Sequence, residues 1–126
     1  MDYKQAKVLC DRWLPAWTGG SGSVERLLGF YSPEALYRDP ARPEGIRGRD
    51  GLRGYFQKLL AKNPDWRWEA DEIVPTERGF VLKWLAHVPA GSRTLAIQGL
   101  DIVEVENGLI TRNEVYFDRA PLIQSP

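Results

Sequence analysis

Apolar residues recur at helical spacing through the first half of the chain and at every second position through the last half. Ala6, Leu9, Cys10, Trp13, Leu14 and Trp17 form a stripe at i, i+3, i+4, i+7, i+8 and i+11, which predicts an amphipathic first helix. Pro15 has no N–H and crowds the preceding turn, so this helix should end or kink near Leu14. Gly19-Gly20-Ser21-Gly22-Ser23 reads as a flexible turn, with Ser23 able to cap a short second helix from Val24 to Phe30. That helix turns Val24, Leu27, Leu28 and Tyr31 inward, and Ser32-Pro33 should break it. A short strand, Ala35 to Asp39, ends on Asp39-Pro40, because proline cannot donate to a strand ladder. Asp50 is placed to cap a third helix carrying Leu52, Tyr55, Phe56, Leu59 and Leu60, closed by Asn63-Pro64.

From Trp66 the period becomes two. Trp66–Val74, Phe80–Pro89, Arg93–Glu106 and Leu109–Arg119 read as strands separated by turn residues. Asn107-Gly108 between two of them predicts a tight hairpin. Three helices followed by an antiparallel meander make an α+β fold, with the helices packed on one face of a curved sheet. No repeat, linker or low-complexity segment interrupts residues 1–126, which read as one domain.

Composition narrows the function classes. Seventeen basic and seventeen acidic side chains give no net charge, which argues against a nucleic-acid partner. Cys10 is the only cysteine, so neither an internal disulfide nor a cysteine-based zinc site can form, and a core role is expected for it. No apolar run approaches the ~20 residues that cross a bilayer, so no membrane partner is expected. The first ten residues lack the basic and apolar regions of a signal peptide, and a cytoplasmic location is expected.

The order of elements, together with FYSPEALYRDP (30–40), GIRGRDGLRGYF (45–56) and QGLDIVEVENGLITRNEVYFD (98–118), resembles the nuclear-transport-factor-2-like superfamily and its SnoaL-like branch. The resemblance covers nearly the full length. It implies a cone, in which a bent sheet wraps around the helices and leaves a pocket between them. Members of this superfamily include isomerases, cyclases, dehydratases, epoxide hydrolases and proteins without a catalytic role, so fold alone does not select a reaction. Similarity to ketosteroid isomerase implies a general base at Asp39, in the Asp-Pro pair after the second helix, and an oxyanion-hole acid at Asp101. Where that enzyme has a helix-one tyrosine, this chain has Trp13. An indole N–H donates one hydrogen bond but is not an acidic phenol.

The residues themselves support some of these roles. Leu95, Ile97, Gly99, Asp101, Val103 and Val105 share one strand face, so Asp101 is a single ionisable group on an apolar surface. Such a carboxyl is either desolvated, with a raised pKa, or satisfied by a helix cap or an arginine. Asp39 is equally a turn-forming residue or a proton carrier facing the pocket. His87 is the only histidine, which excludes a histidine-rich metal site; on an inward face it would be the natural proton carrier near neutral pH. Phe80, Leu82, Trp84, Ala86 and Val88 share one face of its strand, while Lys83, Leu85, His87 and Pro89 share the other. Asp118 matches, more loosely, an acid/base aspartate that SnoaL-like cyclases place late in the sheet. The glycines at 45, 48, 51 and 54 with Arg42, Arg47, Arg49 and Arg53 have no nucleotide-loop spacing and read as a bend.

These readings converge on an expected enzyme of metal-free aspartate chemistry acting on an apolar small molecule, with no cofactor. Asp39, Asp101 and His87 are the catalytic candidates, and Trp13, Trp17, Tyr55, Phe56, Asn113 and Phe117 the pocket-lining ones. A non-catalytic binding module of the same fold is the alternative. A homodimer is also expected, from an outward apolar patch that would include Trp84 or Trp68.

Overall fold

The computed structural model describes residues 1–123. Helix α1 (Tyr3–Trp13) starts at Asp2, whose side chain accepts the Gln5 N–H at 2.7 Å, while the Gln5 side chain accepts the Asp2 N–H at 3.0 Å. This reciprocal cap satisfies two otherwise orphaned donors. The expected stripe is buried at Ala6, Cys10 and Trp13. At Pro15 the chain tightens into a 3-10 turn, Leu14–Trp17, which carries Trp17 on into the interior. A second 3-10 turn, Gly20–Ser23, leads into α2 (Val24–Leu28), two residues shorter than its apolar pattern suggested.

Strand β1 (Tyr31–Asp39) begins earlier than expected and includes Ser32-Pro33. It tolerates proline because its ladder with β6 (Leu109–Phe117) is broken there: Tyr31 pairs with Ile110, and pairing resumes only at Leu36 with Arg112. The Gly/Pro/Arg bend is also more ordered than its sequence suggests. Residues Arg42–Arg47 form β2, an edge strand antiparallel to β1. Its arginines have structural work: Arg47 donates to the Glu34 carbonyl, and Arg49, just beyond, to the Tyr31 carbonyl. Helix α3 (Arg49–Lys62) is entered through Gly48, at φ 92°, where a side chain would be strained. Asp50 therefore lies in the first turn, bonded to Arg53, instead of capping the helix.

Strands β3 (Arg67–Pro75), β4 (Gly79–Ala90), β5 (Arg93–Glu106) and β6 form the expected antiparallel meander. Asn107 and Gly108, at φ 54° and 79°, make the tight hairpin between β5 and β6. A short α4 (Ala120–Ile123) follows. The sheet order is β2-β1-β6-β5-β4-β3, with only the β1–β6 pair parallel. Helices α1 and α3 pack against the sheet, α2 packs against α3, and the core lies between helices and sheet. No helix among the described residues is long and apolar enough to cross a membrane.

Packing decides the parity of β4. Phe80, Leu82, Trp84, Ala86 and Val88 are buried toward the helices, so Lys83, Leu85 and His87 lie on the outer face. Trp84 is therefore not an outward residue, and Trp68 opposite Ala86 also turns inward. The outer patch expected from those two tryptophans is corrected accordingly. The exposed apolar residues of the outer sheet face are Val74, Leu100 and Tyr116.

Candidate active site

Between the helices and the concave sheet face lies a cavity of about 590 Å³. Trp17, Tyr55 and Trp66 line it from the helices and loops, and Tyr37, Trp68, Trp84 and Phe117 from the sheet. The rings of Trp66, Trp68, Trp17, Tyr37 and Tyr55 run in sequence, with successive centroids 5.8, 6.2, 6.3 and 5.8 Å apart. Asp39 and Asp101 are the acidic residues in the lining.

Asp39 stands at the end of β1, where the chain reverses into β2. Its Oδ1 accepts the backbone N–H groups of Ala41 at 2.9 Å and Arg42 at 3.0 Å, which fixes the turn. Its Oδ2 accepts two phenol hydroxyls, from Tyr37 at 2.8 Å and Tyr55 at 2.6 Å. Tyr37 shares its face of β1, two residues away, and Tyr55 arrives from α3. Four donors occupy the carboxylate's accepting capacity. Asp39 therefore orients two tyrosines, whose hydroxyl oxygens keep a free accepting side. Burial, then the Asp39 charge, pushes the Tyr37 phenol well above its ordinary value, and burial with the Asp39 bond raises Tyr55.

Asp101 stands midway along β5 and is only 5% exposed. Its Oδ1 accepts the Trp84 indole N–H at 2.7 Å, and its Oδ2 accepts the Asn113 amide at 2.9 Å. Asn113 is itself oriented by the Tyr31 hydroxyl, which donates to its Oδ1 at 2.8 Å. Gly99 makes the Trp84 contact possible. It pairs with Trp84 across the ladder, and a Cβ at position 99 would lie 2.3 Å from the indole ring. The ring can cross β5 and reach Asp101 only over a glycine.

Burial raises the Asp101 carboxyl to about 6; the Asn113 and Trp84 donors work against that rise, and the Asp39 charge adds to it. Desolvation dominates because both donors are neutral and no cation is bonded to the group. Two acids thus share one cavity in different states of satisfaction. Asp39 is saturated, whereas Asp101 carries one donor on each oxygen and retains accepting capacity.

The sequence-derived candidates divide into three groups. Asp39, Asp101, Trp17, Tyr55 and Phe117 line the cavity. Trp13, Phe56 and Asn113 are fully buried behind it, and none of the three reaches the cavity surface. Trp13 and Phe56 support Trp17 edge-on, at 6.0 and 5.2 Å between centroids, so their expected role in lining the pocket is corrected to backing its wall. Asn113, likewise expected to touch substrate, instead fixes Asp101. Among the described residues, the Trp13 Nε1–H makes no hydrogen bond. His87 falls outside: it lies on the outer face, 3.5 Å from Glu69, and cannot serve the cavity as a proton carrier. Asp118 is exposed and accepts the Ala120 N–H, a capping role. Sequence reasoning missed Tyr37 and the polar use of Trp84. The parity of Ala35, Tyr37 and Asp39 could have found the first; nothing local signals the second.

Known proteins share this architecture. A protein of ketosteroid isomerase-like fold from Catenulispora acidiphila, solved in complex with trimethylamine, superposes with a TM-score of 0.76 at 18% identity, over 93% of this chain and 91% of that one. A protein from Shewanella putrefaciens assigned as a SnoaL-like polyketide cyclase gives 0.79 at 13% identity, over 96% of this chain and 84% of its own. A computationally designed 17-OHP binder gives 0.71 at 16% identity, over 90% and 91%. At these identities the likeness is one of fold. No curated protein matches the sequence. The sequence profile of the SnoaL-like domain matches residues 10–113, which include every cavity acid and its donors, and the chain belongs to that family.

Proposed function

We propose that this protein is a small-molecule enzyme in which Asp101 carries a proton to and from an apolar, ring-containing substrate held in the aromatic cavity. The observation that carries the reading is the state of Asp101: buried, locked by two neutral donors, and raised to about 6. A carboxylate so placed is mostly ionised at neutral pH yet far more basic than one in water, the condition for effective general-base catalysis. Isomerisation, cyclisation, dehydration and epoxide opening each contain such a proton transfer. In this reading Asp39 is not the proton carrier. It holds the Tyr37 and Tyr55 hydroxyls at the substrate's edge.

A generic proton-abstraction probe tests the proposal without knowledge of the substrate. In 5-nitrobenzisoxazole, a base removes the ring C–H proton, the C–H electrons form the nitrile, and the N–O bond breaks to give 2-cyano-4-nitrophenolate. The wild-type rate should rise with a midpoint near pH 6, and Asp101→Asn should fall to the buffer background. Equal turnover by the variant sinks the assignment.

A non-catalytic binding module is the second reading, favoured by the saturation of Asp39 and by a designed ligand binder sharing the fold. It predicts ligand binding with no Asp101-dependent turnover. The proposal also includes a homodimer formed through the outer sheet face around Val74, Leu100 and Tyr116, whose apolar exposure needs a cover. A monomer at micromolar concentration in sedimentation would count against it.

A further inference from the structure

The two cavity acids have no cationic partner within ion-pair distance among the described residues. Among the described residues, the ion pairs join Lys7 to Asp11, Arg42 to Glu44, Arg53 to Glu25 and Asp50, Lys83 to Asp71, His87 to Glu69, and Arg112 to Glu104 and Glu114. None reaches Asp39 or Asp101, although these are among the few buried charged side chains. Buried charges are ordinarily paired, because taking them out of water is costly. The basic residues in the cavity lining, Lys62 and Arg119, are exposed, so water screens their charge.

Immediately beside the two acids, the hydrogen-bonding sense points the same way. The Tyr37 and Tyr55 hydroxyl protons are committed to Asp39, and the Trp84 N–H is committed to Asp101. What these groups still offer an occupant is acceptor oxygens. Around them stand electron-rich rings, whose faces attract cations through their quadrupole, tryptophan most strongly. One ring already does so: the Arg42 guanidinium lies 5.5 Å from the centroid of Tyr55. An anionic ligand would meet two carboxylates, and a neutral one would leave both without a countercharge.

We propose that the ligand of this cavity carries a compact organic cation, a tertiary or quaternary ammonium group, seated against the aromatic wall beside Asp101. The cavity is much larger than such a head group, so the cation is joined to an apolar ring-containing body that fills the space toward Leu95, Ile97 and Val115. The inference deepens the small-molecule reading above and rests on it for the location of the site. It adds the charge of the ligand, which the proton-transfer argument leaves open.

The test compares three molecules of similar shape on the intact wild-type protein: (3-hydroxybenzyl)trimethylammonium, its uncharged carbon isostere 3-neopentylphenol, and the anion 3-hydroxyphenylacetate. Affinity is measured by calorimetry, and location by shifts of the tryptophan indole N–H signals in NMR. The ammonium compound should bind at least about tenfold more tightly than the isostere, the gain expected from one or two desolvated ring faces plus a carboxylate. In Asp101→Asn, that preference should shrink by about threefold or more. Equal or tighter binding of the isostere or the anion overturns the inference, as does an ammonium compound that leaves the indole signals unmoved at about 10 mM. The benzisoxazole probe carries no cation. A protein that turns it over through Asp101 yet prefers the isostere would retain the proposed chemistry and refute the ligand charge.

Discussion

Replacing Asp101 by Asn should make the protein more stable at neutral pH, although it removes the group on which the proposed chemistry depends. Burial holds the folded-state carboxyl at about 6, against an ordinary value of 3.8. The folded state therefore binds the proton more tightly than the unfolded chain does. The contribution to stability is full below the unfolded value and is lost as pH rises toward 6, because the unfolded chain ionises first. At ~1.36 kcal/mol per pH unit, the loss amounts to about 3 kcal/mol above pH 6. An amide at position 101 does not ionise, so the variant escapes this loss. Its oxygen can still accept the Trp84 N–H. Its NH₂ faces Asn113, whose amide must then turn over so that its oxygen accepts, with the Tyr31 hydroxyl becoming the acceptor on the other side. Allowing for this rearrangement, the net gain should be about 1–3 kcal/mol near pH 8 and about 2 kcal/mol smaller near pH 4, where it vanishes or becomes a small loss. Urea unfolding of both proteins across that range, with the slope checked for constancy, measures it directly. A variant less stable than wild type near pH 8, or a difference independent of pH, would refute the argument from desolvation.

Other outcomes follow from the same contacts. Trp84→Phe keeps an aromatic ring, though a smaller one, and removes the N–H on Asp101, so the midpoint of the pH–rate profile should move upward by about one pH unit; an unmoved midpoint would mean that the bond does not tune the acid. Asp39→Ala leaves the Ala41 and Arg42 N–H groups and the buried Tyr37 hydroxyl without their acceptor, and should cost about 2–4 kcal/mol in denaturant unfolding. Asp39→Asn, which keeps the shape, should lose less and retain the Asp101-dependent limb of the probe's pH profile. His87→Ala should change probe turnover not at all and stability by no more than about 0.5 kcal/mol, since its neighbour is an exposed glutamate on the outer face.

What could be read from the sequence was whatever depended on local period. The α1 and α3 stripes, the meander and the Asn-Gly turn lie where spacing placed them, because each element buries one face. Asp101 was visible for the same reason: a single acid among apolar neighbours on one strand face. Strand β2 was not visible, since it is an edge strand in which only Ile46 is buried, and Gly45 at φ 86° reads as turn chemistry. His87 was ambiguous because β4 has apolar residues on both faces, Val81 and Leu85 outside and the larger set inside. Only packing against the helices separates them. Trp84 was legible as a large apolar residue and illegible as a hydrogen-bond donor, because its partner lies on another strand, 17 positions away.

The glycine under that indole has a consequence for how this cavity can change shape. Positions 84 and 99 draw on one shared volume, so bulk added at one must be surrendered at the other. A methyl at 99 with a small residue at 84, and a small shift of Phe117, whose Cβ would lie 2.9 Å from that methyl, would open the floor above Asp101, deepening the cavity while stripping the acid of one donor. The two positions thus behave as a single dial, turning a shallow, tuned acid into a deep, freer one. Paired exchanges of size at 84 and 99 are the substitutions by which this scaffold would trade substrate length against acid strength.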